Sequence, residues 1–188
     1  MKYEAAFEGY FTKQALFNTD DARRFLSSLG ASEAYIRLML HNLVHAGKLL
    51  RIGKGIYTFQ RNESIVGFRF RPFYYGLEYA LTIRKIWTQQ SVPVILTKSR
   101  ANPGIRDLMG IRVILHRIND KAFFGFDYVN YGGIFVPVSD VEKTLLDFNY
   151  YGISLDRETL STLENLVNRK KLEDYAERLY SLSRKKIW

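Results

Sequence analysis

The chain has 188 residues, a formal net charge of +9 and no cysteine. That length allows one large domain or two small ones with cores of their own, and the missing cysteines exclude disulfides, thiolate catalysis and cysteine zinc sites. The positive excess is spread over both halves; it favours a polyanionic partner, although simple basic proteins share it.

The opening segment, MKYEAAFEGYF, has no apolar core of the kind a secretory leader needs, and no stretch approaches a membrane span. A cytoplasmic protein is expected. Residues 2–10 read as a short first helix, with Ala5, Ala6 and Phe7 turned inward. The segment from Phe11 to Phe17 fits either a short strand or a helical turn.

From residue 18 to 59 the pattern is more definite. Asn18 is an N-cap candidate with Asp20 and Asp21 in the first turn behind it, and Ala22, Phe25, Leu26 and Leu29 repeat at helical spacing. Leu29-Gly30-Ala31 supplies a turn. Ser32 then caps a second helix whose inner face is Ile36, Leu40 and Leu43, with Gly47 as its C-terminal stop. Two β-rich runs follow, Leu49–Ile52 and Ile56–Phe59, around Gly53-Lys54-Gly55. Helix, tight turn, longer helix and hairpin in this order make a winged helix-turn-helix, whose second helix enters the DNA major groove.

The outward face of that second helix carries Ala34, Arg37, Leu38, His41 and His45, with Asn42 on its flank. Arginine suits guanine edges, asparagine suits adenine, and an apolar side chain suits the thymine methyl. Lys48, Arg51 and Lys54 are placed to reach phosphates from the wing. The expected DNA-binding set is therefore Ser32, Arg37, Leu38, His41, Asn42, His45, Lys48, Arg51 and Lys54. The bland alternative is a small helical domain that contacts other proteins.

Gln60–Ser64 is polar and reads as a linker. Residues 65–71 alternate apolar and basic and suggest an entry strand. After Pro72 an apolar helical run is expected from Tyr74 to Trp87, then a buried strand over Val92–Thr97 and a turn-rich stretch from Ala101 to Gly110. Ile111–Ile118 alternates as a strand should. Two more strands, Ala122–Val129 and Ile134–Val138, flank Asn130-Tyr131-Gly132-Gly133. After Pro137 three amphipathic helices are expected, Ser139–Asn149, Asp156–Asn168 and Lys171–Ser183. The predicted fold is α+β: a winged helix-turn-helix domain over residues 1–62, then a mixed α/β domain over 63–188 that ends in helices.

The residues offer little catalytic chemistry. His41 and His45 at i and i+4 form a possible metal pair, but the Glu that a zinc protease carries after its first His is absent. His116 stands alone in a strand. No phosphate-binding glycine loop is present, nor the glycine-serine and paired carboxylates of a nucleotidyltransferase. Ser139-Asp140-Val141-Glu142 reads as a capping box, in which Ser139 and Glu142 satisfy each other's backbone amides, leaving Lys143, Thr144 and Asp147 outward or flanking. No cofactor, no metal ion and no catalytic residue is expected. The enzyme alternative, a nucleic-acid-processing activity in the second domain, needs acids converging around Asp107, Asp127, Asp140 or Asp147. A third reading is a stand-alone regulator with a ligand pocket among the C-terminal aromatics.

An ordered set of short motifs resembles the AbiEi antitoxin family. The wing, Leu49-Leu50-Arg51-Ile52-Gly53-Lys54-Gly55-Ile56-Tyr57, is similar to that family's winged-unit ending. Pro72-Phe73-Tyr74-Tyr75, Ala80-Leu81, Leu96-Thr97-Lys98-Ser99-Arg100, His116-Arg117-Ile118 and Phe124-Gly125 follow in family order. Glu-Lys-Thr-Leu-Leu-Asp is intact from Glu142 to Asp147, and Leu172, Tyr175, Ala176 and Arg178 match the last helix. The chain departs from the pattern in lacking a serine after the Pro-aromatic stretch and in its aromatic richness. The resemblance implies a regulator of a type IV toxin–antitoxin or abortive-infection system that represses its own operon at inverted repeats of double-stranded DNA. It also implies antitoxin action through the second domain against a nucleotidyltransferase-like toxin, without a stable complex. Neither sequence nor resemblance sets the oligomeric state.

Overall fold

The computed structural model describes residues 2–180. The chain divides into two compact units. One runs to Arg69 and includes Leu108–Ile111; the other begins at Phe70 and takes the rest.

The first unit holds α1 (Glu4–Phe11), β1 (Phe17–Asn18), α2 (Thr19–Ser28), α3 (Glu33–His45), β2 (Leu50–Gly53) and β3 (Ile56–Thr58). The inner face of α1 is Phe7 and Phe11, both fully buried; Ala5 and Ala6 are exposed, against expectation, because bulky aromatics take the inward positions. The segment after α1, expected as a short strand or a helical turn, is turn and bend over residues 12–15, and only at Phe17 does the strand β1 begin, which pairs with β3 to build a three-stranded sheet in the order β1-β3-β2. The core is apolar throughout: Phe7, Phe11, Phe17, Ala22, Leu26, Ile36, Met39, Leu40, Leu43 and Leu49 close around one another. Both helix starts form as the residues dictate. Asn18 accepts from the Asp20 and Asp21 amides while Asp21 accepts from the Asn18 amide, and Ser32 accepts from the Tyr35 amide. Gly47, at φ +69, ends α3; its amide reaches Val44 O, and the Lys48 amide reaches Leu43 O at 3.0 Å.

The second unit has a six-stranded mixed sheet in the order β6-β7-β5-β4-β9-β8. Its strands are β4 (Phe73–Tyr75), β5 (Val94–Thr97), β6 (Gly104–Leu108), β7 (Ile111–Arg117), β8 (Phe126–Tyr131) and β9 (Ile134–Ser139). Its helices are α4 (Leu77–Ile83), α5 (Val141–Tyr151), α6 (Arg157–Leu166) and α7 (Arg169–Tyr180). The helix expected to run on to Ser183 ends, so far as it is described, at Tyr180; the remainder lies outside the described residues.

Four expectations are corrected. Residues 63–70 form a 3₁₀ helix, not a strand: Asn62 Oδ1 accepts from the Ser64 amide at 2.9 Å and turns the chain, so Ile65, Val66, Phe68 and Phe70 are all buried. Phe73–Tyr75 is a strand near the middle of the sheet, buried on both faces, and a continuous apolar run of that kind does not differ in pattern from a buried helix. The helix behind it stops at Ile83, because Lys85 takes a left-handed conformation and the Ile86 amide closes onto Leu81 O. Gly104–Leu108, expected as turn, is an edge strand.

Candidate DNA-binding surface

The exposed side of α3 carries Ala34, Arg37, Leu38, His41, Asn42 and His45. Leu38 is 54% exposed, a large apolar side chain with nothing inside the unit to cover it. The His41 and His45 rings stack with centroids 6.2 Å apart, one turn from each other. The opposite side, with Ile36, Met39, Leu40 and Leu43 buried, fixes the rotation of the helix; the polar stripe therefore has one direction to face.

The start of α3 is held electrostatically. Arg23 of α2 donates from Nε to Glu33 Oε2 at 3.0 Å, and Arg37 sits 3.5 Å from Glu33 one turn on. The hydrogen bond from Arg23, more than Arg37, holds the Glu33 carboxyl below its ordinary value. Ser32 spends an acceptor site on the Tyr35 amide and keeps its O–H to donate outward.

The wing lies beside α3. Its turn is docked at the start of α2, where the Thr19 amide donates to Gly55 O at 3.0 Å. Gly55 has φ +70, and an added Cβ would meet Thr19 Oγ1 at 3.0 Å, so glycine is required there. A recess between α3 and the wing is lined by Arg37, His41, Arg51 and Tyr57, with Thr19 at one end. Arg51 Nε rests on Gly53 O at 3.3 Å. Lys54 stands exposed at the turn and meets no hydrogen-bond or charge partner among the described residues. Lys48 is differently placed. It follows the end of α3, and its ammonium is 2.6 Å from Glu4 Oε1 and 4.0 Å from Glu8 Oε1 of α1. The structure thus gathers Arg37, His41, Arg51 and the α3 stripe on one surface, and turns Lys48 toward acids on α1. The sequence reading missed Thr19 and Tyr57 as walls of the recess; the Gly55 turn was visible, but its docking onto α2 is a contact 36 residues apart.

The second unit holds a charged cluster of another kind. Lys143 and Asp147, one turn apart on α5, are completely buried and ion-paired. Tyr74 OH donates to Asp147 Oδ2 at 3.0 Å and accepts from Lys143 Nζ at 3.0 Å. Burial pushes Asp147 up to about 6 against the pull of Lys143 and Tyr74, pushes Lys143 down, and pushes the Tyr74 phenol well up. These residues were expected outward or flanking; α5 is instead buried on nearly all sides, between the sheet and α4, α6 and α7. The stem of Lys143 also needs Gly125 (φ +71), since an added Cβ there would lie 2.8 Å from Lys143 Cβ.

The expected Ser139–Glu142 capping box is not formed. Asp140 is the N-cap, accepting from the Lys143 amide at 2.8 Å, and the Ser139 hydroxyl pairs with Thr144 Oγ1 at 2.7 Å. Glu142 reaches instead to α7, where Oε1 accepts from the Asn168 amide at 2.8 Å and Oε2 lies 2.9 Å from Lys171 Nζ. Burial raises the Glu142 carboxyl, but Asn168 and Lys171 together hold it below its ordinary value. Lys171 also meets Asp140 Oδ2 at 3.0 Å.

Residues 4–60 match the family model of AbiEi antitoxin transcriptional regulators. The matched segment runs from α1 through β3, so it takes in the whole α3-and-wing surface and stops short of the second unit. Among curated proteins no match is found. No helix among the described residues is long and apolar enough to cross a membrane, and no group of three or more His, Cys, Asp or Glu side chains among them is placed to hold a metal.

Proposed function

We propose that this chain is a cytoplasmic operator-binding repressor of its own operon and the antitoxin of a type IV toxin–antitoxin pair, with residues 1–62 binding DNA and residues 63–188 serving the antitoxin role. The observation that carries the DNA-binding part is the exposed stripe of α3, with Arg37, Leu38, His41, Asn42 and His45 beside a wing that presents Arg51 and Lys54. Base edges are read from the stripe, and phosphates are held by the wing and the Ser32 hydroxyl at the start of α3. The antitoxin part, directed at a nucleotidyltransferase-like toxin without a stable complex, rests on the family match and on the motif order further along the chain.

The protein acts by binding rather than by catalysis. Three of the four carboxylates named for a nuclease are already engaged: Asp147 by Lys143 and Tyr74, Asp127 by Arg84, and Asp140 by Lys171 and Tyr175.

The test is a binding titration against the DNA upstream of the chain's own gene, with random duplex as the reference. Arg37→Ala and His41→Ala each weaken operator binding by about 1–3 kcal/mol and leave random-sequence binding little changed. Equal losses on operator and random DNA would remove base reading from α3. Toxin neutralisation is scored separately, by co-expression with the product of the adjacent gene; no rescue of growth would remove the antitoxin part alone.

A further inference from the structure

The two edges of the six-stranded sheet, β6 and β8, are built differently. At the β6 edge, Pro103 and Gly104 open the strand and Arg106 and Asp107 put charge on it. The Arg106 guanidinium folds back onto the carbonyl of Ile105 within the strand at 2.8 Å and onto those of Asn102 and Pro103 just before it at 3.0 and 3.3 Å. Charge, proline and self-capping are the usual means of blunting an edge.

The β8 edge has none of these. Phe126–Tyr131 contains no lysine, arginine, proline or glycine, and its single formal charge, Asp127, is ion-paired with Arg84. Tyr128 is 68% exposed and Phe135, on the adjoining strand, 65% exposed. The register pairs Tyr128 with Pro137 and Asn130 with Phe135, so both aromatics lie on one face of the sheet. The turn between β8 and β9 has two residues, Gly132 and Gly133, and Tyr131 pairs with Ile134. A two-residue turn makes that flanking pair hydrogen-bonded, and the alternation of an antiparallel ladder then points the N–H and C=O groups of Phe126, Tyr128 and Asn130 away from β9.

We infer that β8 pairs antiparallel with β8 of a second copy, about a two-fold axis at Tyr128. A two-fold that relates neighbouring strands runs perpendicular to the sheet, so one residue must stand opposite its own image. Centring on Tyr128 matches the outward-pointing groups: Tyr128 faces Tyr128 of the partner, and Phe126 faces the partner's Asn130. Each such pair exchanges two backbone hydrogen bonds. Asp127 falls opposite Val129, and no like charges meet. Centring on Asp127 would bring two carboxylates together, and centring on Val129 would offer backbone groups already turned toward β9. The row Pro137–Tyr128–Tyr128–Pro137 across the axis covers aromatic surface that each copy leaves in water. The self-complementary register selects a second copy: it exchanges every outward-pointing backbone group of Phe126, Tyr128 and Asn130 and keeps Asp127, the edge's one charge, away from its own image. A dimer so formed carries two winged units, the number that a two-fold symmetric DNA site takes, but the pairing does not depend on DNA reading.

The experiment uses the full chain without DNA. Light scattering over a dilution series through the micromolar range gives a reversible dimer for the wild type and a monomer for Tyr128→Lys, whose melting temperature equals the wild-type value at concentrations where the wild type is dissociated, because the side chain is exposed. Since the chain has no cysteine, single cysteines report the register. Tyr128→Cys cross-links to itself on mild oxidation. Asn130→Cys does not, because two such residues lie about 15 Å apart, four residues of about 3.4 Å along the strand and one strand spacing of about 5 Å across, beyond disulfide reach. A wild type that stays monomeric, a dimer that survives Tyr128→Lys, or equal cross-linking at both positions would overturn the inference.

Discussion

The two units place their charges in opposite ways. In the winged unit the core is hydrocarbon and aromatic, and the charges lie on the surface of α3 and the wing. In the second unit Lys143, Asp147 and Glu142 lie inside, bonded to one another's elements. A surface charge held by water costs little to remove from the fold and much to remove from an anionic ligand; a buried pair behaves the other way round. The same substitution, a charged residue to alanine, therefore reports on binding in one unit and on folding in the other.

The largest effect expected is at Asp147. Asp147→Ala leaves the Lys143 ammonium buried with Tyr74 as its one hydrogen-bond partner among the described residues, and costs about 3–5 kcal/mol of stability by analogy with other broken buried pairs. Chemical denaturation measures it. Lys143→Met together with Asp147→Leu restores most of the loss, since it removes both charges at similar volume. A loss under about 1 kcal/mol in the single variant would break the comparison, because the pair would then behave as a surface pair. Arg37→Ala in the winged unit serves as the counterpart, with unchanged melting and weakened operator binding.

Glu142 sharpens the contrast at a smaller scale. It ties α5 to α7 through the Asn168 amide and Lys171. Glu142→Ala loses about 0.5–2 kcal/mol, the range of helix-cap losses. Glu142→Gln loses less, since an amide oxygen still accepts from Asn168 while the charge on Lys171 goes unmatched. The pH dependence has a definite sign. Glu142 has a lowered pKa in the folded chain, so its contribution is present above its ordinary value of 4.5 and disappears as pH falls through the lowered folded value. Lys171 is raised above 10.5, so its contribution holds below that pH and fades as pH rises through the folded value. Melts of wild type and Glu142→Ala, separated at pH 7, converge in strong acid. A constant gap down to pH 2 would mean that the carboxylate charge contributes nothing to the α5–α7 tie.

Much of the winged unit was legible in the sequence because it is made of local signals. Asn18 with Asp21, Ser32, Gly30 and Gly47 each act within a turn of where they stand, and the apolar period of α3 sets which side faces outward. Recognition of the stripe Arg37, Leu38, His41 and His45 needed nothing more than that period. The second unit was less legible because its decisive contacts are distant. Lys143 and Asp147 at i and i+4 look like a surface pair on any helix, and distant partners make them a core: the sheet, α4, α6 and α7 bury them, and Tyr74, 69 residues from Lys143, bonds to both. Ser139 and Asp140 are both good caps, and a one-residue shift decides whether Glu142 turns back on α5 or out to Asn168, 26 residues on. Tyr74 and Tyr75 read as the start of a helix because a strand buried on both faces has no polar face to show alternation.

The smallest effect separates two lysines that composition treats alike. Lys54 stands exposed at the wing turn and is free to displace counterions from DNA; Lys48 spends its charge on Glu4 and Glu8. Each phosphate that a cation neutralises adds about 0.9 to the slope of log K against log salt. Lys54→Ala should therefore reduce that slope by about one unit, and weaken operator and random DNA alike, because a phosphate contact carries no sequence. Lys48→Ala should leave the slope where it is. The hydrogen bond that Lys48 donates to Glu4 holds its ammonium above its ordinary pKa, and with a carboxylate 2.6 Å away most of its charge is already matched before a phosphate arrives. Binding titrations at several salt concentrations on the two variants decide it. Equal slopes for both would mean that DNA draws Lys48 away from α1, and Glu4→Gln would then tighten binding by relieving the competition. A slope unchanged in Lys54→Ala with altered base preference would mean that the wing reads bases, and the division of labour between α3 and the wing would have to be reversed.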